Sequence, residues 1–71
     1  MIIEHIDLDG KPTKSIVNVK RMDLASDIVK CHADTYEFSV HFKDEVAFFK
    51  FETEEKARYE WNAIEAILDR N

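Results

Sequence analysis

The segment from Tyr36 to Phe51 constrains the fold more than any other part of the chain. Over residues 35–42 the large apolar side chains occupy every second position, the period of a half-buried β-strand. A connection without glycine then leads into a second strand over residues 45–52, which is rich in phenylalanine. Parallel strands need a crossover of about a dozen residues or more. The two strands are therefore predicted to pair antiparallel, as a hairpin.

A single amphipathic helix is predicted over residues 54–69, directly after this hairpin. Thr53 is a suitable N-cap, since its hydroxyl oxygen can accept a hydrogen bond from an unpaired helical N–H. Glutamates at the next two positions suit the positive end of the helix dipole. Apolar residues then recur at helical spacing and form one stripe for packing on a sheet: Ala57, Trp61, Ile64 and Leu68.

The N-terminal half is predicted to add three further strands, over residues 2–8, 15–22 and 27–32. Gly10 and Pro12 indicate a turn after the first, residues 23–26 a break after the second, and Ala33 with Asp34 a turn after the third. The predicted fold class is α+β: an antiparallel, five-stranded, strongly curled meander sheet followed by one C-terminal helix that packs on it. Residues 1–71 are expected to form a single domain.

The size of the chain predicts a marginally stable domain. Its 71 residues include 45% apolar and 35% charged residues, which is typical of a folded protein. A domain this small buries only roughly 60% of the surface that its unfolded chain exposes. The single cysteine rules out an internal disulfide. We therefore expect the protein to associate with other protein chains, most simply as a homo-oligomer.

The sequence contains no segment of about 20 apolar residues that could cross a membrane, and no signal peptide is recognised. A lone cysteine, Cys31, suits a reducing compartment. We expect a cytoplasmic protein that does not insert into membranes.

No catalytic or metal-binding motif is recognised. The one glycine cannot build a phosphate-binding loop, and no serine stands in a nucleophile-elbow motif. Cys31 and His32 are adjacent, so in a strand their side chains point to opposite faces and cannot jointly hold a metal. Cys31 is expected to behave as a small buried apolar residue, with a reactive thiol as the lesser alternative. The sequence predicts a protein that is not an enzyme and has no cofactor, no metal and no small-molecule substrate.

Some apolar residues exceed what the predicted core requires. Val46 and Phe48 lie on the second face of the last strand, and three residues form a weaker stripe on one flank of the helix: Tyr59, Ala63 and Ala66. Exposed apolar surface in a small protein often marks an interface. Alternatively, the curl of the sheet buries Val46 and Phe48. The first alternative predicts a self-associating protein-interaction module, a homodimer, in agreement with the association expected from the small core.

An alternative function is a nucleic-acid-associated module. Four basic residues are concentrated in the first loop and second strand: Lys11, Lys14, Lys20 and Arg21. Against this, the formal net charge is −5 and aspartates stand close by in the sequence. Phosphate contacts need clustered lysine and arginine, so nucleic acid is a disfavoured partner.

Residues 46–68, which run from the Phe-rich strand through the helix, resemble the closing strand and helix of pleckstrin-homology-like domains. In that family a tryptophan of the helix, matched by Trp61, covers one end of a curled sheet. The segment is also similar to short bacterial and phage proteins without assigned activity. The chain departs from the family in offering five strands rather than seven. The resemblance implies binding to a protein or peptide rather than catalysis.

Overall fold

The computed structural model describes residues 1–70; Asn71, the last residue of the predicted domain, lies outside them. The described residues form six strands, two short 3-10 helices and one α-helix. The strands are β1 (Ile2–Ile6), β2 (Pro12–Ile16), β3 (Met22–Ala25), β4 (Val29–Lys30), β5 (Tyr36–Phe42) and β6 (Val46–Phe51), and the helix is α1 (Glu54–Leu68).

All strand pairs are antiparallel, and the helix follows the sheet, so the predicted α+β class is confirmed. The strand order is β2-β1-β6-β5-β3, with β4 also paired to β5. The first and last strands of the chain, β1 and β6, are thus neighbours in the interior of the curled sheet. This contact is short, since Ile6 opposite Lys50 is the only pair recorded between them.

The hairpin of β5 and β6 agrees with the sequence pattern. Phe38 lies opposite Phe49 and Tyr36 opposite Phe51, so the alternating apolar residues of the two strands share one face. The Phe38 ring stacks on Phe51 with centroids 5.2 Å apart and packs against Phe49 at 5.8 Å. This face forms the centre of the core, and α1 packs on it.

The helix prediction is confirmed to within one residue. Thr53 Oγ1 accepts a hydrogen bond from Lys56 N at 3.2 Å, as expected of an N-cap. Ala57 and Ile64 are fully buried against the sheet. Trp61 is half-buried, and its indole Nε1–H donates to Ser26 O at 2.7 Å, which ties the helix to the loop after β3.

The predicted first strand is too long, because a turn begins at Asp7. The carboxylate oxygen Oδ1 of Asp7 accepts hydrogen bonds from Asp9 N and Lys11 N, both at 2.9 Å. Gly10, with φ of 80°, occupies the left-handed region that favours glycine. The side chain of Asp7 thus closes a tight loop and ends β1 at Ile6.

The predicted second strand, 15–22, is wrong. The chain is extended at Pro12–Ile16, and a 3-10 helix follows at Val19–Arg21, capped by Asn18 Oδ1, which accepts from Lys20 N at 3.1 Å. β2 is an edge strand, where proline is tolerated because the missing N–H removes no ladder bond. The β-branched residues around Val17 favour a strand. The 3-10 helix that Asn18 caps ends the extended chain instead.

The predicted break at 23–26 and the third strand at 27–32 are also wrong in their bounds. Met22–Ala25 pairs with β5, and within residues 27–32 the paired strand is limited to Val29–Lys30. A bulge at Asp23 shifts the register of β3, which hides its alternation from a sequence pattern. The turn predicted at residues 33–34 is confirmed by positive φ at both positions, 62° and 55°.

Candidate interaction surfaces

The outer face of the sheet, opposite α1, carries an exposed apolar patch. The strand register places Leu24, His41 and Val46 side by side across β3, β5 and β6. Phe48 lies two residues beyond Val46 on the same face of β6, about 7 Å away. Leu24, Val46 and Phe48 are 51%, 44% and 66% exposed. We call Leu24, His41, Val46 and Phe48 the outer patch.

Val46 and Phe48 could be either exposed or buried by the curl of the sheet, and the structure decides between these two alternatives. Both side chains remain exposed, although the sheet is curled. Leu24 was missed because its segment was expected to be a break between strands. The bulge at Asp23 brings Leu24 opposite His41 and so onto the outer face.

The other predicted interface residues lie elsewhere. Tyr59 is exposed on the helix, Ala63 is half-buried and Ala66 is exposed. The helix covers the inner face of the sheet, whereas Val46 and Phe48 belong to the outer face. The five residues therefore form two separate surfaces.

The four residues of the predicted basic patch are spread along the first hairpin and the segment that follows it. Lys11 follows the turn and Lys20 lies beyond β2, a strand about 16 Å long. Lys14 Nζ lies 3.7 Å from Glu4, and Arg21 lies 3.9 Å from Asp44. Two of the four positive charges are thus offset by acids.

Cys31 lies at the edge of the sheet, where its Sγ–H donates to Glu37 Oε2 at 3.5 Å. Partial burial, together with this hydrogen bond and the negative charge of Glu37, raises the pKa of the Cys31 thiol; Lys50 acts in the opposite direction. A raised pKa leaves little thiolate at neutral pH, so the thiol is a poor nucleophile.

We expect the Glu37→Gln variant to react with iodoacetamide several times faster than the unmodified protein at neutral pH. Removing the negative charge lowers the pKa of Cys31 and so increases the thiolate fraction. The rate should be measured from pH 6 to 10, where the rise in rate should move to lower pH in the variant. An unchanged profile would show that Glu37 does not control this thiol.

Two grooves flank the first hairpin. One, of about 390 Å³, lies beside β6 and is lined by His5, Ser15, Ala47 and Phe49, among others. His5 Nε2 and Ser15 Oγ are 2.8 Å apart, and the His5 ring packs edge-on against Phe49 at 5.1 Å. This histidine is thus fixed by a serine and an aromatic ring.

The second groove, of about 510 Å³, lies between the first hairpin and the N-terminal half of α1. Ile6 and Phe51, both buried, lie at its base, and Tyr59 and Glu60 line it from the helix. We call it the hairpin–helix groove. In the sequence, Glu60 only separates the two apolar stripes of the helix, and nothing there indicates that it is buried.

Among residues 1–70, no group of three histidine, cysteine, aspartate or glutamate side chains is arranged to hold a metal ion. Within the same residues, no helix is long and apolar enough to cross a membrane. No family model matches the chain, and no curated protein or solved structure matches it either. The resemblance to pleckstrin-homology-like domains stays a prediction.

Proposed function

We propose that this protein is a small, non-enzymatic, cytoplasmic protein-interaction module that associates with a second copy of itself through the outer patch. The observation that carries the proposal is the exposure of Phe48 beside Val46 on one sheet face, with Leu24 in line with Val46 across β5. Aromatic residues are enriched in interfaces, where they act as anchors. The single free cysteine is consistent with a reducing compartment.

The unpaired edge of β6 also supports self-association through the outer patch. β1 is recorded as pairing with β6 only at Lys50, so residues 46–49 have β5 as their one recorded strand neighbour. An edge with exposed apolar side chains favours association with another chain. In a two-fold symmetric dimer, each Phe48 would pack on the outer patch of its partner.

Self-association also suits a domain of this size, because binding to the folded state adds to its stability. The outer patch is small, and small interfaces are typical of transient complexes. We therefore expect a weak, reversible dimer with a dissociation constant in the micromolar range.

The test is sedimentation equilibrium of the purified protein over a concentration series. Phe48→Glu should raise the dissociation constant of the dimer at least about tenfold, because it places a charge in an apolar contact. Leu8→Glu is the matched control, since Leu8 is 97% exposed at the tip of the first hairpin and lies outside the outer patch. This control should dimerise like the unmodified protein.

Circular dichroism should show that both variants are folded. A protein that is monomeric throughout the series, or a dimer that Phe48→Glu leaves unchanged, would contradict the proposal.

A further inference from the structure

The hairpin–helix groove is lined by a buried glutamate, and only one of its two carboxylate oxygens has a structural role. Glu60 is 7% exposed, and its Oε2 accepts a hydrogen bond from Glu4 N at 2.7 Å. β1 has no recorded partner on β6 at this position, so Glu60 satisfies a backbone N–H that the sheet leaves free. One of its two oxygens is thereby engaged.

The other oxygen is Oε1. It has no hydrogen-bond partner within residues 1–70, and Glu60 forms no ion pair there. No side-chain oxygen in the described chain is both buried and unpaired, so Oε1 keeps contact with solvent, and Glu60 is one of the residues that line the groove. The groove therefore presents a carboxylate oxygen with free capacity to accept a hydrogen bond.

The charges around the groove favour a positively charged ligand. Two lysines line it, and each is already matched: Lys14 lies 3.7 Å from Glu4, and Lys56 lies 3.5 Å from Glu52. Among residues 1–70, neither Glu55 nor Glu60 forms an ion pair. The lining thus carries four glutamates against two lysines, a formal charge of −2.

The shape of the groove favours an organic cation. Among residues 1–70, the acids are not arranged to hold a metal ion. A volume of about 510 Å³ lies within the usual range of ligand sites. Ile6 and Phe51 offer apolar contact to an aliphatic chain, and the exposed ring of Tyr59 offers a face to a cation.

We propose that the hairpin–helix groove binds a lysine side chain of a partner protein. The methylene chain lies along Ile6 and Phe51, and the ammonium group donates to Oε1 of Glu60. Lysine suits the site better than arginine, because a guanidinium binds carboxylates through two parallel hydrogen bonds and only one oxygen of Glu60 is free. The site is independent of the outer patch, which lies on the opposite face of the sheet.

The test is a titration of the 15N-labelled full chain with a short peptide, Ala-Ala-Lys-Ala-Ala, blocked at both ends. It is followed by amide chemical shifts and carried out on the Phe48→Glu variant, so that self-association does not interfere. We expect saturable shifts at Ile6, Tyr59 and Glu60. The same peptide with an acetylated lysine should bind at least about tenfold more weakly, since acetylation removes the charge. An arginine peptide should also bind more weakly.

The deciding variant is Glu60→Gln, which keeps an oxygen for Glu4 N but places an amide in the groove. It should weaken binding of the lysine peptide at least about tenfold. Glu65→Gln removes the same charge from the same helix outside the groove and should leave binding unchanged. Melting curves should show that both variants are folded.

Equal binding by Glu60→Gln, equal binding of the acetylated peptide, or no saturable shift with millimolar peptide would overturn the inference. Equal or tighter binding of the arginine peptide would overturn the choice of lysine.

Discussion

Replacing Phe38 by alanine is expected to lower the free energy of unfolding by about 3–5 kcal/mol. Phe38 is buried at the centre of the core, between the rings of Phe49 and Phe51. Its removal leaves a cavity that the surrounding strands can fill only in part. In a domain of this size a single core rarely supplies more than about 3–5 kcal/mol of stability, so the variant should be largely unfolded.

The matched control is Phe48→Ala, which truncates the same side chain on the other face of the hairpin. Because Phe48 is exposed, we expect this change to cost about 1 kcal/mol or less. Urea denaturation should be followed by the fluorescence of Trp61, the single tryptophan. The protein concentration should be low, so that dimerisation does not contribute. Similar losses for the two variants would contradict the division of β6 into a core face and an outer face.

Replacing Trp61 by alanine is expected to lower the free energy of unfolding by about 3 kcal/mol. The indole ring packs against the core, its N–H donates to Ser26 O at 2.7 Å, and the Arg58 guanidinium lies 5.5 Å from the ring centroid. The helix and the loop after β3 meet at this side chain. Its loss therefore weakens the contact between the helix and that edge of the sheet.

Trp61→Phe separates the hydrogen bond from the packing. Phenylalanine keeps most of the apolar contact but leaves Ser26 O without its donor, which should cost about 1–2 kcal/mol. Both variants lack the tryptophan, so urea unfolding should be followed by circular dichroism. A phenylalanine variant as stable as the unmodified protein would show that the bond to Ser26 contributes nothing measurable.

The C-terminal half of the fold could be predicted because its signals are local. The period of two along β5, the N-cap at Thr53 and the helical spacing of Ala57 and Ile64 all point to the same elements. The split of β6 between Phe49 and Phe48 follows from the same alternation, and only their burial had to come from the structure.

The N-terminal half could not be predicted in the same way. β2 is an edge strand whose sequence from Thr13 to Ser15 is polar, and β3 contains a bulge that breaks its alternation. Ile3, Val17 and Met22 belong to the core, yet they come from segments with little or no regular pattern. Their burial depends on how the hairpin and β3 meet the rest of the sheet, which is tertiary context.

The candidate sites also differ in whether local sequence signals or tertiary context determines them. Val46 and Phe48 could be predicted from the alternation of β6, but their neighbour Leu24 depends on the register of β3. The burial of Glu60 depends on the N–H of Glu4, far away in the sequence, which β6 leaves unpaired. No local sequence pattern predicts that a glutamate will be buried by a hydrogen bond from the backbone of a distant strand.

The central claim is that the outer patch is a surface for self-association, and amide chemical shifts measured on dilution test it most directly. We predict that dilution shifts the amides of Leu24, His41, Val46 and Phe48, while Leu8 at the hairpin tip stays constant. The Phe48→Glu variant should show no concentration dependence. Spectra of the unmodified protein that do not change with concentration, or changes confined to residues outside the outer patch, would contradict the claim.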